Sequence, residues 1–323
     1  MLKDIIKQNL LDDLGFTKLD SNVLNIEEIQ MLKSLISDSK ARNSTLSGFD
    51  VGLELANKSI VENINLKIVE IVLPKLLPHL LNCEMFIASH LGKDSNINSI
   101  VLPHQDWTFI EDEENNYSFS CWIPLSDVDF NNGCMGFIKR THKIFNDKRA
   151  SPAALIPQSI NEHLFTLMPF IETIYMKAGE CLIFNNKTLH ASLPNIKKEY
   201  RDAVAIVFTK TGTNFRHFYL KPGTSDTLLE YEINKDFFLK YDNKILLEMY
   251  NNNRYIDDYQ LIREVKYKPK EYTKNEIVRV VKEAGNIFNK DIENLLRSNY
   301  TNNRLSTKIF KFSTAIRNIF SFK

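Results

Sequence analysis

Neither sign of charge dominates this chain. Its 323 residues hold 41 lysines and arginines against 40 aspartates and glutamates, a formal net charge of +1. No broad basic field is present to attract nucleic acid by counterion release. Cysteine is scarce: Cys83, Cys121, Cys134 and Cys181 include no C-x-x-C pair. That excludes a disulfide scaffold and the spacing of a structural zinc site, and it points to a reducing, cytoplasmic compartment. No apolar run reaches the about 18 residues that a membrane-spanning helix needs. The opening residues MLKDIIKQNLLDDLGF are broken by acids and lack a small-residue cleavage site, so no signal peptide is expected. Internal repeats and long low-complexity linkers are also missing. What remains is an ordinary globular composition, 43% hydrophobic and 25% charged. It excludes a disordered chain, a collagen-like chain and a coiled-coil rod. The length suffices for a sizeable core without covalent staples.

The patterning falls into three parts. Over residues 1–80 apolar residues recur at helical spacing. Leu2, Ile5, Ile6, Leu10, Leu11 and Leu14 precede a capping Gly15; a second helix is expected over 26–39, and a third from Ile60 to Val72, stopped near Pro74 and Pro78. From about residue 84 the period shortens. CEMFIASHL, SIVLPH, YSFSCWIPL, GCMGFI, IETIYMKA, CLIF and AVAIVFTK are short β-branched and aromatic runs separated by turn residues. Many short strands at this spacing predict a sandwich or barrel, not βαβ units. After residue 226 helical patterns return in DFFLKYDNKILLEMY, NEIVRVVKEAGNIF and DIENLLRS.

The strand region contains VLPHQDWTF. In an extended segment residues i and i+2 share a face, so His104 and Asp106 can meet one ion. His190 follows 86 residues later in CLIFNNKTLHAS, beside another strand run. Two imidazoles and one carboxylate on one face leave open metal positions, the arrangement that suits non-haem Fe(II) oxygenases. By itself an H-x-D pair is weak, since a surface histidine near a turn gives the same pattern. Ser192 lies two residues and Arg201 eleven residues after His190, with a strand directly behind. An arginine at that place suits a dicarboxylate, because its planar fork pairs bidentately with a carboxylate.

Taken together, HQD (104–106), NNGCMGFIKRTHK (131–143), AGECLIF (178–184) and HASLPN with Arg201 resemble the phytanoyl-CoA dioxygenase-like family of Fe(II)/2-oxoglutarate oxygenases. The resemblance covers roughly residues 84–212. It implies an α+β protein with a double-stranded β-helix, or jelly-roll, core. It implies Fe(II), 2-oxoglutarate and O2, and hydroxylation of an unactivated C–H bond in a small organic substrate with release of succinate. On the same basis His104, Asp106 and His190 match the iron ligands, and Arg201 matches the residue that pairs with the distal carboxylate of 2-oxoglutarate. Ser192 matches an assisting hydroxyl and Trp122 a cosubstrate-lining indole, with a core aromatic as its alternative reading; Phe86 is read as core packing. The carboxylate of Asp106 fills a position that is small in halogenating relatives, which favours hydroxylation over halogen transfer.

One departure stands out. The family's Pro-Gly-Ser-His turn reads Lys139-Arg140-Thr141-His142 here, which puts the geometry of that loop in doubt. The acidic run Glu111–Glu114, after Trp107 and Phe109, is expected to be a solvated loop beside the pocket. His79, His90, His163 and His217 lack partner spacing and receive no role. The expected organisation is an oxygenase domain over 1–225 (helices 1–80, jelly-roll core 84–220) and a helical extension over 226–323. Its tail, 304–323, is basic and amphipathic; it either docks its apolar stripe on the core or contacts an anionic membrane surface or a partner. Two other functional classes stay open on the residues alone: a catalytically silent jelly-roll binding module, and a cupin-like metal isomerase.

Overall fold

Asp4 starts the first helix. Its carboxylate accepts from the backbone N–H groups of Ile6 and Lys7, and the helix α1 (Ile5–Leu14) ends at Gly15, whose φ of 91° needs a residue without Cβ. The computed structural model describes residues 1–39 and 48–301. A short strand β1 (Phe16–Lys18) leads to α2 (Ile26–Asp38), which opens on a capping box between Asn25 and Glu28. After β2 (Phe49–Val51) comes α3 (Lys58–Leu76). The helix expected over Ile60–Val72 starts two residues earlier and runs four residues further, through Pro74 to Leu76, so it ends between Pro74 and Pro78. A proline there removes one N–H from the final turn only, so its cost is confined to the helix end.

Eight strands then build the core: β3 (Cys83–Lys93), β4 (Val101–His104), β5 (Phe119–Pro124), β6 (Met135–Phe137), β7 (Glu172–Ile174), β8 (Leu182–Asn185), β9 (His190–Ser192) and β10 (Arg201–Lys210). A short helix α4 (Leu164–Leu167) lies in the long connection before β7. One sheet runs β1-β8-β5-β10-β3-β2 and the other β4-β9-β6-β7, with every pairing antiparallel. From β3 onward the chain therefore alternates between the two sheets, except that β6 and β7 are adjacent in one. That order is the double-stranded β-helix.

Alternation along β10 explains the layering. Val204, Ile206 and Phe208 join α1, α2 and α3 in one apolar cluster, while Ala203 and Ala205 face the other sheet with Trp122 and Leu182. Arg201 shares the parity of Ala203 and so points between the sheets.

The chain continues into a third, three-stranded sheet of β11 (Phe215–Leu220), β12 (Thr227–Ile233) and β13 (Gln260–Lys266). Helices α5 (Phe237–Lys240) and α6 (Asn243–Asn251) pack on it; α7 (Lys274–Glu283) and α8 (Lys290–Leu296) pack beside the smaller core sheet. To the helices expected after residue 226 the structure thus adds two strands, and β11–β12 pairing crosses residue 225. β13 is exposed along almost its whole length, so it lacks the alternating burial that marks a strand in sequence. Among the described residues no helix is long and apolar enough to cross a membrane. The amphipathic tail 304–323 lies outside the described residues.

Candidate metal and carboxylate site

His104 and His190 are opposite each other on neighbouring strands β4 and β9. Their ring centroids are 4.2 Å apart. Each ring is anchored from behind: His104 Nδ1 donates to the carbonyl of Leu102 at 3.0 Å, and His190 Nδ1 donates to that of Thr188 at 2.9 Å. A carbonyl can only accept, so both Nδ1 atoms carry a proton and both Nε2 atoms are left for a metal. Asp106 lies just beyond β4, with Oδ1 3.7 Å from His190 Nε2. One ligand atom from each of His104, Asp106 and His190 lies within 4.8 Å of the others. Burial, then the neighbouring His190, lowers the pKa of His104 to about 4, against the opposing pull of Asp106. At neutral pH that ring is an uncharged donor.

Arg201 begins β10 and is 2% exposed. Its Nε and Nη1 are buried without a hydrogen-bond partner. The guanidinium lies 5.5 Å from the ring centre of Trp122, itself buried on β5. Burial pulls the Arg201 pKa down to about 10, with Asp202 opposing. Directly opposite on β3 is Lys93, fully buried, a second cation that the sequence reading passed over. Its Nζ donates to the carbonyls of Ser99, of Leu193 at 2.7 Å and of Ser192 at 3.4 Å. Burial, then Arg201, drives the Lys93 pKa far down. Two basic side chains thus face each other inside the barrel, one with its donors satisfied by carbonyls and the other with two donors unused. Ser192 is buried two residues after His190 on the same strand.

The structure therefore gathers His104, Asp106 and His190 into one cluster, and places Arg201, Trp122 and Ser192 inside the same barrel. The expectation for Glu111–Glu114 needs correction. Glu113, its side chain 8% exposed, forms a two-pronged ion pair with Arg149, which is 1% exposed, at 2.5 and 2.6 Å. Arg149 Nε also donates to the Asp106 carbonyl at 2.9 Å, and Glu111 pairs with Arg216 at 2.9 Å. The run is half a surface loop and half an internal anchor, because two arginines distant in sequence reach it.

At the doubtful turn a residue other than glycine takes a left-handed backbone. Arg140 adopts φ 65° itself, held by Asp13 at 2.6 and 3.1 Å and by the Ala284 carbonyl at 2.9 Å. The remaining histidines include two with buried partners: His90 meets Asp202 at 2.9 Å, and His217 meets Ser151 Oγ at 2.7 Å.

Residues 68–203 match the family model described as phytanoyl-CoA dioxygenase (PhyH). Phytanoyl-CoA dioxygenase domain-containing protein 1 of Bos taurus is 26% identical over 119 residues, which cover 35% of this chain and 40% of that protein. The chain thus spans well under half of that curated relative. Among solved structures, HygX from Streptomyces hygroscopicus with nickel and 2-oxoglutarate bound is 12% identical, with a TM-score of 0.46 over 64% of this chain and 87% of that one. The 2-oxoglutarate-dependent carbocyclase SnoK from nogalamycin biosynthesis is 14% identical, with a TM-score of 0.48 over 66% of this chain and 86% of that one.

Proposed function

We propose that this chain, whose residues 68–203 belong to the phytanoyl-CoA dioxygenase-like family, is a non-haem Fe(II)/2-oxoglutarate-dependent dioxygenase that hydroxylates a C–H bond of a small organic substrate. The observation that carries the reading is the pairing of a three-donor cluster with an unpartnered buried guanidinium in one barrel. Two neutral imidazole nitrogens and a carboxylate on one side suit Fe(II) and leave coordination positions open. A buried guanidinium with two unused donors is costly unless an anion completes it, and the distal carboxylate of 2-oxoglutarate has the matching fork geometry. The residues present therefore fit both groups.

His104, Asp106 and His190 would hold the metal, and Arg201 the distal carboxylate. Iron bound there would supply, with 2-oxoglutarate and O2, the oxidising power to remove hydrogen from an unactivated C–H bond, with succinate and CO2 as by-products. The protein's part is orientation and exclusion of water. Trp122 covers the guanidinium face, so the carboxylate pair forms in a low-dielectric pocket where it is strong. Lys93 faces Arg201 across the sheet while its amine stays bonded to three carbonyls. Ser192, buried on the His190 strand, supplies a hydroxyl for the same carboxylate. No general base is required. The substrate is of lipid-like or secondary-metabolite and amino-acid type.

The test is an anaerobic titration of the purified chain with Fe(II) and 2-oxoglutarate. A weak visible charge-transfer band requires both to bind at one centre, and admission of air with a turnover-competent substrate should then yield succinate. A chain that shows neither band nor succinate would instead be a silent jelly-roll binding module.

A further inference from the structure

Asp106 is the member of the triad that no strand holds, because β4 ends two residues earlier at His104. Its placement comes from Asn186. The Asp106 N–H donates to the Asn186 carbonyl at 3.0 Å. The Asn186 side-chain amide returns a hydrogen bond to Asp106 Oδ2 at 2.6 Å, and the same Nδ2 reaches Ser120 Oγ at 2.8 Å. Asn186 is fully buried, its own N–H is fixed on the Ser118 carbonyl at 3.1 Å, and its Oδ1 has no partner. The orientation of the amide follows from chemistry. Nδ2 must face the carboxylate, since Oδ1 there would set two acceptors against each other.

The consequence is an asymmetric carboxylate. Oδ2 is engaged by Asn186, while Oδ1 is the atom near His190 Nε2, at 3.7 Å. We propose that Asn186 is a positioning residue that fixes Asp106 as a one-oxygen metal donor, with Ser120 fixing Asn186 in turn. The proposal rests on the reading of His104, Asp106 and His190 as a metal site. The terminal torsion of an aspartate is broad and nearly two-fold, so its two oxygens are interchangeable unless something distinguishes them. Without the amide donor the carboxylate can rotate away or offer both oxygens to the metal. Either change weakens the facial geometry or closes a position needed by other ligands. A hydrogen-bonded outer oxygen keeps one donor and leaves the rest of the coordination sphere free.

The experiment is an anaerobic equilibrium titration of the full chain with Co(II), read as affinity and as the visible ligand-field spectrum. Urea midpoints of the metal-free proteins are measured alongside. Asn186→Leu, close to isosteric and without a donor, and Asn186→Ala should bind Co(II) about 10–100-fold more weakly than the natural chain and with an altered band shape. Ser120→Ala leaves every backbone bond in place and should show a smaller weakening in the same direction. Co(II) affinity and spectrum unchanged in both Asn186 variants would overturn the proposal. If neither Asn186 variant folds, Ser120→Ala decides: a weakening of about threefold or more supports the positioning role, and an unchanged affinity refutes it. A natural chain that fails to bind Co(II), matching His190→Ala, would remove the metal-site reading itself and this proposal with it.

Discussion

Replacing Arg149 by methionine tests whether the acidic run after the metal loop is an internal anchor. The side chain is 1% exposed and its partner Glu113 is 8% exposed. The substitution removes two hydrogen bonds to Glu113 and single bonds to the carbonyls of Asp106 and Asp147. It leaves a carboxylate buried without its cation. Breaking a buried pair from one side costs about 3–5 kcal/mol, because the surviving charge is left uncompensated. For a chain of this size that lowers the melting temperature by about 4–7 °C. Urea unfolding of the metal-free chain reads the loss directly. The double variant Arg149→Met/Glu113→Leu removes both charges and should recover most of it, since an apolar pair of similar volume is often neutral at such sites. Metal affinity should not recover in parallel, because the donor to the Asp106 carbonyl is still gone. A single-variant cost below about 1 kcal/mol would place the pair with ordinary surface salt bridges and refute the anchor.

Arg201→Ala should weaken 2-oxoglutarate binding by about 2–5 kcal/mol, or roughly 30- to several-thousand-fold, with lysine a poor substitute; unchanged dependence of succinate formation on 2-oxoglutarate would place the cosubstrate elsewhere. Arg201→Met should at the same time raise the thermal stability of the protein without cosubstrate, since it removes an unpaired buried cation facing Lys93. Burial lowers the pKa of His217 to about 3, so the ring is neutral when folded and takes up a proton on unfolding below its ordinary value near 6.5. The unfolded state then binds more protons, and stability falls as pH drops from about 6.5 towards 3; the paired variant His217→Phe/Ser151→Ala should flatten that slope in urea titrations run across the window. At the turn, Arg140→Ala keeps the left-handed strain and loses the contacts to Asp13 and Ala284, whereas Arg140→Gly loses only the contacts. The glycine variant should therefore be the more stable of the two by about 1 kcal/mol in chemical unfolding, and equal stability would show that φ 65° carries no strain there.

The elements legible in the sequence are those whose burial is one-sided and local. The alternation in AVAIVFTK exists because β10 separates two apolar layers, and the stripe in α2 exists because one face meets the sheet. β9 is only three residues long, too short to show a period, yet it carries His190 and Ser192. β13 was missed for the opposite reason: its side chains are exposed on both faces, so nothing in QLIREVK alternates. The third helix runs one turn past the expected Val72, to Leu76, since a proline near a helix end removes a hydrogen bond that the helix can spare.

The site divides along the same line. His104, Asp106, His190 and Arg201 were legible because chemistry requires those residue types and because the strands fix their spacing. The groups that hold Asp106 in place were not. Arg149 lies 43 positions from Asp106 and Asn186 lies 80, and each reaches it through loops rather than a periodic element. In sequence Asn186 is one asparagine among many, and Arg149 is one cation of a balanced set. Only the closed barrel turns them into neighbours. The turn at 139–142 is another place where the contacts that hold the backbone are distant in sequence. A missing glycine signals a changed backbone only if nothing else can hold the left-handed conformation. Here an ion pair to α1 and a carbonyl after α7 hold it, so Arg140 keeps the loop, and the loop in turn sets the Thr141 hydroxyl as acceptor for the Leu189 N–H at 2.8 Å, one residue before His190. The second histidine of the triad thus depends on an arginine in an unfavourable conformation, a link that runs through α1, the turn and β9 and that no single segment displays.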